Sequence, residues 1–218
     1  MTLAIEPHRP DSDPSRRALV RRGLLLNYAT IGYNSLEAVV ALVAGVASGS
    51  VALVGFGLDS VIEVTASGAA QWRLRADFHA ARRERVERLS LRIIGWSFLL
   101  LAAYVAFDSA TALWRREVPE RSIVGIVILA LSVIVMPVLA RAKRTVARSM
   151  TSRALEADAA QTSLCAYLSV IALAGVGLNA LFGWWWADPV AALAMVPVIV
   201  KEGIAGVRGD ATCADDCC

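Results

Sequence analysis

The strongest constraint in this sequence is the repetition of long apolar stretches. A membrane-spanning helix needs about 20 predominantly apolar residues, and six stretches come close to or exceed that length: 24–46, 50–72, 93–114, 123–140, 159–181 and 184–204. Only helices and closed barrels satisfy all backbone polar groups within a bilayer, and stretches of this length favour helices. The sequence therefore predicts an all-α integral membrane protein with six transmembrane helices.

The composition agrees with a membrane protein. Hydrophobic residues make up 57% of the 218 residues and charged residues only 19%, which is too apolar for an ordinary soluble domain. The spans leave no room for a second globular domain. We expect a cytoplasmic N-terminal segment (1–22), a transmembrane domain (23–204) and a short cytoplasmic Cys-rich tail (205–218). The first apolar stretch is long enough to span, so no cleavable signal peptide is expected.

The distribution of basic residues predicts the orientation. Lys and Arg residues are retained on the cytoplasmic side during insertion. Nineteen of the 22 lie in the N-terminal segment, in the second-to-third and fourth-to-fifth connections, and at the C-terminal end from Lys201 onward, whereas Arg115, Arg116 and Arg121 lie on the opposite side. We expect both termini to be cytoplasmic, in a multi-pass protein of the cytoplasmic membrane. The net charge of +3 then reflects topology, and nucleic acid is not an expected partner.

The second span carries two acidic residues near its middle. Asp59 and Glu63 are four residues apart, so a helix places them on one face, one turn apart. Acidic residues inside a membrane are costly and indicate function. Two stacked carboxylates repel each other unless a cation or a shared proton lies between them. The pair therefore predicts half of a metal site. The alternative is that both residues only line a water-filled vestibule.

The fifth span is polar in its first half. Gln161 and Cys165 form a second pair at helical spacing, preceded by Asp158. Polar residues at membrane depth are tolerated where they line a cavity, which predicts an inward-opening aqueous pocket that ends near Cys165. Taken alone, Cys165 is more typical of a small buried hydrophobic residue, and Gln161 of an interhelical hydrogen bond.

Three short patterns, in order, resemble the cation diffusion facilitator (cation efflux) family. Gly49-Ser50-Val51-Ala52 followed by Asp59-Ser60-Val61-Ile62-Glu63 resembles the family's G-S-x-A and D-S-x-x-D. Ala157-Asp158-Ala159-Ala160-Gln161 resembles its A-D-x-x-H, and Ala187-Asp188-Pro189 with Ala192-Leu193 resembles its A-D-P-x-x-A-L. The resemblance implies six helices, cytoplasmic termini, and export of a divalent metal, usually Zn²⁺, in exchange for protons by alternating access. No enzymatic activity is expected.

The resemblance places the metal site on Asp59, Glu63, Gln161 and Cys165, between helices two and five. Asp59 matches the family pattern, and Glu63 keeps the charge with one more methylene. Gln161 replaces an imidazole by a poor Zn²⁺ ligand, while the Cys165 thiolate suits Zn²⁺ and softer ions. The expected substrates are Zn²⁺ first, then Cd²⁺, Fe²⁺, Co²⁺ or Mn²⁺, with no prosthetic group. Without the family's histidine, proton coupling has to use Glu63, Asp59 or Cys165.

Other polar residues leave alternatives open. Asn34 and Glu37 either line the cavity with Asp158, or Glu37 pairs with a basic residue. Asp188 is expected to cap its own helix beside Pro189. We expect a short form of the family without its C-terminal cytosolic domain, so any homodimer would form through the transmembrane helices.

The last six residues hold three of the four cysteines. Cys213, Cys217 and Cys218 either capture metal, act in redox sensing or belong to a merely frayed tail. The alternative function is therefore a membrane metal or redox sensor that signals through this tail.

Overall fold

Six helices account for the structure, a computed structural model that describes residues 14–75, 80–150 and 153–208. The helices are α1 (Pro14–Ser48), α2 (Val51–Arg75), α3 (Ala80–Arg115), α4 (Ile123–Met150), α5 (Arg153–Phe182) and α6 (Ala187–Arg208). Each contains a segment long and apolar enough to cross a membrane. The predicted all-α, six-span fold is confirmed.

The helices pack as three close pairs, and α2 lies in the middle of the bundle. These pairs are α1 with α2, α4 with α5, and α3 with α6. Because α2 also contacts α3, α5 and α6, it lies at the centre of the bundle. Its first half packs into an apolar core that includes Leu53, Phe56, Leu168 and Met195. The two acidic residues of α2 follow this apolar segment directly, so the fold places them in the interior.

Helix α4 extends well beyond its predicted span. The apolar stretch ends at residue 140, but the helix continues to Met150. Arg141, Lys143, Arg144 and Arg148, predicted to lie in a connection, are therefore helical. Hydropathy identifies only the apolar part of a helix. Lys and Arg are good helix formers, so the helix can continue through these basic residues beyond the apolar part. Side chains on this extension can consequently pack against α5.

Asp188 caps a helix other than its own. Its carboxylate accepts hydrogen bonds from the Val51 and Ala52 backbone N–H groups, at 2.9 and 3.4 Å, and from the Ser50 hydroxyl. These N–H groups lie in the first turn of α2, where intrahelical partners are missing. The prediction that Asp188 caps α6 was wrong, because the start of α6 lies beside the start of α2. The contact joins the Gly49-Ser50-Val51-Ala52 pattern to the Ala187-Asp188-Pro189 pattern.

Helices α3 and α6 approach each other through glycines. A Cβ atom on Gly95 would lie 2.7 Å from the carbonyl carbon of Gly206 and 2.8 Å from the carbonyl oxygen of Gly203. Backbone atoms at such distances cannot move aside without shifting a helix. Small residues permit this close packing, which is common between membrane helices.

We expect Gly95→Ala to destabilise the protein, because overpacking of a tight contact costs about 1–3 kcal/mol. The matched control is Gly177→Ala in α5, where a Cβ would meet nothing within 4 Å. Thermal unfolding of the purified protein in detergent measures both. The contact would be less tight than described if the two variants melted at the same temperature.

A candidate metal site in the membrane interior

A set of buried polar side chains, here called the polar track, lies on helices α1, α2, α4 and α5 in the interior of the bundle. All of its members are less than one-tenth exposed. It consists of Asn27, Thr30, Asn34 and Glu37 of α1, Asp59, Ser60, Glu63, Ser67 and Gln71 of α2, Ser132 and Lys143 of α4, and Asp158, Thr162 and Cys165 of α5.

The spacing of polar residues along each helix produces the polar track. On α1 they recur every three or four residues from Asn27 to Glu37, and on α2 every four residues from Glu63 to Gln71. Such spacing keeps side chains on one helix face. The opposite face of α1 is apolar and exposed, with Leu36 and Val39 about 60% accessible. Because the surroundings are lipid, the polar face turns inward, the reverse of a soluble helix.

Asp59 and Glu63 are fully buried and unpaired. Asp59 is 1% and Glu63 0% exposed. None of their four carboxylate oxygens has a hydrogen-bond partner among the described residues. A buried charge is very costly unless it is paired or bound to a metal. The pair predicted from the sequence therefore lies in the interior with its coordination capacity free.

A third carboxylate and a thiol join this pair. Cys165 Sγ lies 3.9 Å from Glu37 Oε2, which also accepts a hydrogen bond from the Ser60 hydroxyl at 2.9 Å. Glu37 Oε1 has no hydrogen-bond partner. The thiol also interacts electrostatically with Asp59 and Glu63. Three carboxylates and one thiol, supplied by α1, α2 and α5, thus face one region of the polar track.

These four groups do not yet form a finished coordination site. Within residues 14–75, 80–150 and 153–208, no three His, Cys, Asp or Glu side chains stand close enough to hold a metal ion. Tetrahedral Zn²⁺ sites need donor atoms at about 2.0–2.3 Å from the metal. The carboxylates would have to move toward one another for a cation to bind.

The other predicted site residues have different surroundings. Gln161 is only half-buried, and Asn34 is fully buried with neither amide atom hydrogen-bonded. Of the two roles that the sequence left open for Glu37, the structure favours the cavity, because Glu37 makes no ion pair with a described basic side chain. The tail cysteines at 213, 217 and 218 lie outside the described residues.

Asp158 forms a buried ion pair. Lys143 Nζ lies 2.9 Å from Asp158 Oδ2, and the Ser67 hydroxyl donates to Asp158 Oδ1 at 2.9 Å. Lys143 also donates to Thr162 Oγ1 at 3.0 Å and to Ser67 Oγ at 3.3 Å. The sequence interpretation missed Lys143 by assigning it to a connection. In the structure Lys143 lies two turns beyond the buried Met136, on the same face of α4.

An apolar layer closes one end of the polar track. Phe56, three residues before Asp59, and Leu168, three residues after Cys165, are fully buried in the apolar core, as is Met195. Toward the other ends of α2 and α5, the buried polar residues Ser67 and Asp158 lie among buried apolar ones such as Ala66 and Ala159. The polar side chains near Cys165 are buried, so the described residues show no opening to water where the inward-opening pocket was predicted.

Comparison with known proteins places the chain in a family. Residues 28–208 match the cation efflux transmembrane domain. The chain belongs to the cation efflux family. Transmembrane protein 163 of Xenopus laevis is 29% identical over 140 residues, which cover 63% of this chain and 49% of that relative. The chain therefore spans about half the length of this curated relative.

Membership in the cation efflux family gives the polar track a context. Members of the family are transporters rather than enzymes, and the family supports transport of metal cations. The matched region includes every member of the polar track except Asn27. In a cation efflux protein, unpaired carboxylates buried between helices are candidate ligands for the transported cation.

Proposed function

We propose that this cation efflux protein exports a divalent metal cation from the cytosol, Zn²⁺ foremost. The binding site would consist of Asp59, Glu63 and Cys165, with Glu37 and Gln161 assisting. The observation that carries the proposal is the set of unpartnered carboxylate oxygens on Asp59 and Glu63, buried beside a thiol. A cation between these groups would replace both the lost hydration and the missing hydrogen bonds.

The donor chemistry supports Zn²⁺ over harder ions. Zn²⁺ binds thiolate and carboxylate ligands with tetrahedral geometry, and Cys165 with three carboxylates offers four anionic donors. Soft thiolates favour Zn²⁺ and Cd²⁺ over Mn²⁺, which prefers oxygen donors alone. Of the two assisting residues, Glu37 is better placed than Gln161, because it is fully buried and contacts the thiol, whereas Gln161 is half-buried.

The separation of the ligands supports alternating access. Since the described carboxylates do not converge, a bound cation would draw α1, α2 and α5 together. Transporter sites commonly lie between such moving helices near mid-membrane. The apolar layer of Phe56, Leu168 and Met195 closes the other side until the helices move.

The orientation of the protein in the membrane and the coupling of metal export to protons belong to the same proposal. The excess of basic residues at the Lys143 end of the bundle supports a cytoplasmic location for that end. Six crossings then put both termini in the cytoplasm. Ligands must lose their protons to bind a metal, so protons arriving from outside would displace the cation. The result is metal-for-proton antiport.

Flux into proteoliposomes tests the proposal. Purified protein is reconstituted, and uptake of Zn²⁺, Cd²⁺, Fe²⁺, Co²⁺ and Mn²⁺ is followed with an internal dye, with and without a pH gradient. We expect flux of Zn²⁺ above Mn²⁺ and acceleration by an opposing proton gradient. Tight metal binding without flux of any ion would contradict export and support a sensor instead.

We expect Cys165→Ser to change which metal is carried. A hydroxyl is a hard, weakly acidic donor, so loss of the thiolate should weaken Cd²⁺ and Zn²⁺ transport more than Mn²⁺ transport. Relative initial rates over the same metal panel measure the change. Leu164→Ala, a neighbouring buried substitution, controls for packing. An unchanged Cd²⁺ to Mn²⁺ ratio in Cys165→Ser would remove the thiol from the binding site.

A further inference from the structure

A groove lined by three arginines, here called the basic groove, lies on the surface of α4, outside the polar track. It has a volume of about 440 Å³ and is lined by Arg141, Arg144, Thr145, Arg148 and Ser149. Clefts that bind small ligands have volumes of about 300–1,000 Å³. No lining residue is acidic, so the groove is suited to an anion.

The basic groove continues the lipid-facing side of α4. Exposed residues recur every three or four positions along this helix, at 124, 127, 131, 134, 138, 141, 145 and 148. Such spacing keeps them on one face. The first five are Val, Leu or Ile and are 46–67% exposed. The side of α4 that faces acyl chains therefore becomes basic at Arg141 without turning away from the lipid.

The length of the apolar part of α4 places the basic groove at the membrane surface. The apolar stretch from 123 to 140 rises about 27 Å at 1.5 Å per residue, which is close to the thickness of about 30 Å of the hydrocarbon core. Arg141 is the next residue, and Arg148 lies two turns further on. The guanidinium groups thus begin at the depth where lipid headgroups begin.

The arginines of the basic groove have donors to spare. Within residues 14–75, 80–150 and 153–208, none of the three forms an ion pair, and α4 contains no acidic residue. Arg144 donates one hydrogen bond to Ser163 Oγ at 2.9 Å, which is one of its five N–H donors. The hydroxyls of Thr145 and Ser149 donate to carbonyl oxygens of α4 itself. An anion in the groove would therefore be bound by guanidinium groups.

We propose that the basic groove binds the phosphate of one anionic phospholipid. Guanidinium groups bind phosphate through paired N–H donors. Arg141 and Arg148 lie about one turn on either side of Arg144, so the three can surround one headgroup. The acyl chains of the same lipid would lie along Val138 and Ile134, which are exposed on the same face. This proposal is independent of the metal site and of the proposed export function.

The surroundings of the basic groove favour a lipid over other occupants. A free phosphate ion would leave the adjoining apolar face without a role. A symmetric contact with a second copy of the chain would place arginines against arginines. Basic clusters next to membrane helices commonly bind anionic lipids of the cytoplasmic leaflet, and the orientation proposed above would put the groove in that leaflet.

Lipid binding is tested by native mass spectrometry of the purified full chain in detergent. The protein is titrated with phosphatidylglycerol or with phosphatidylcholine of the same acyl chains. We expect tighter binding of phosphatidylglycerol to the parent. Arg141→Gln/Arg148→Gln should weaken it about 30-fold, equivalent to about 1 kcal/mol per arginine near the surface, without affecting phosphatidylcholine. Equal affinity of the parent for both lipids would overturn the proposal.

Two further variants separate the basic groove from a general attraction to anions. Arg92→Gln/Arg208→Gln removes two exposed arginines from α3 and α6 at the same end of the bundle. We expect the parent affinity for phosphatidylglycerol, and a loss as large as in Arg141→Gln/Arg148→Gln would overturn the proposal. Arg141→Lys/Arg148→Lys keeps the charge without the paired donors. It should bind phosphatidylglycerol more weakly than the parent, and equal affinity would refute recognition by guanidinium groups.

Melting temperatures and a phosphate competition distinguish the other occupants. Phosphatidylglycerol should raise the melting temperature of the parent, because it binds the folded state, but not that of Arg141→Gln/Arg148→Gln. Inorganic phosphate should not displace the lipid when compared with chloride at equal ionic strength. Displacement would assign the basic groove to a free anion. A parent dimer that dissociates in Arg141→Gln/Arg148→Gln would assign it to a second copy, and either result would overturn the proposal.

Discussion

Asp59→Asn is expected to abolish metal flux. The substitution keeps the size of the side chain but removes a charged ligand from the centre of the site. Loss of a partner that only orients a ligand costs about 10–100-fold in metal affinity, so loss of the ligand itself should cost more than about 100-fold. The initial rate of Zn²⁺ uptake by proteoliposomes, at several metal concentrations, measures the effect.

The same variant should be more stable than the parent when metal is absent. Both carboxylate oxygens of Asp59 are buried without hydrogen bonds, so removing the charge removes an uncompensated desolvation cost. A higher melting temperature in chelator, together with lost flux, would separate a binding role from a folding role. Flux at the parent rate would refute the site. Asp108→Asn, outside the polar track, serves as the control for loss of a charge.

Glu37→Gln is expected to weaken metal binding about 10- to 100-fold, the range for groups that support a metal site. Glutamine can still accept the hydrogen bond from Ser60 but contributes no charge and is a poor metal ligand. Equilibrium titration with Zn²⁺ measures the affinity. Glu37→Asp, which keeps the charge on a shorter side chain, should retain more affinity than Glu37→Gln.

Ser60→Ala provides the matched control for Glu37. It removes the 2.9 Å hydrogen bond to Glu37 Oε2 and leaves all carboxylates in place. We expect a smaller loss of Zn²⁺ affinity than in Glu37→Gln. If the two variants bound Zn²⁺ equally, or if Glu37→Gln bound it as the parent does, Glu37 would not belong to the ligand set.

The parts of the site that were predictable share one property. Asp59 and Glu63 interrupt a long apolar stretch, so their cost in lipid marks them without any knowledge of neighbouring helices, whereas Cys165 was indicated by its helical spacing from Gln161 and by the family resemblance. Glu37 carried the same mark, but its role stayed open because its partner on another helix was unknown. Lys143 was missed because it follows the end of an apolar stretch, where hydropathy does not distinguish a helix from a connection.

The sequence by itself determined the six apolar spans and the acidic pair, because each follows from local composition and helical spacing, but not where the helices end. Tertiary structure decided which helix faces meet. It placed Asp188 on the first turn of α2, brought Glu37 to Cys165, and paired Lys143 with Asp158. Each of these contacts joins residues on two different helices. Buried polar groups need hydrogen-bond or ion-pair partners. Helical spacing places each group on one face of its own helix, but it does not say which residue of another helix that group meets.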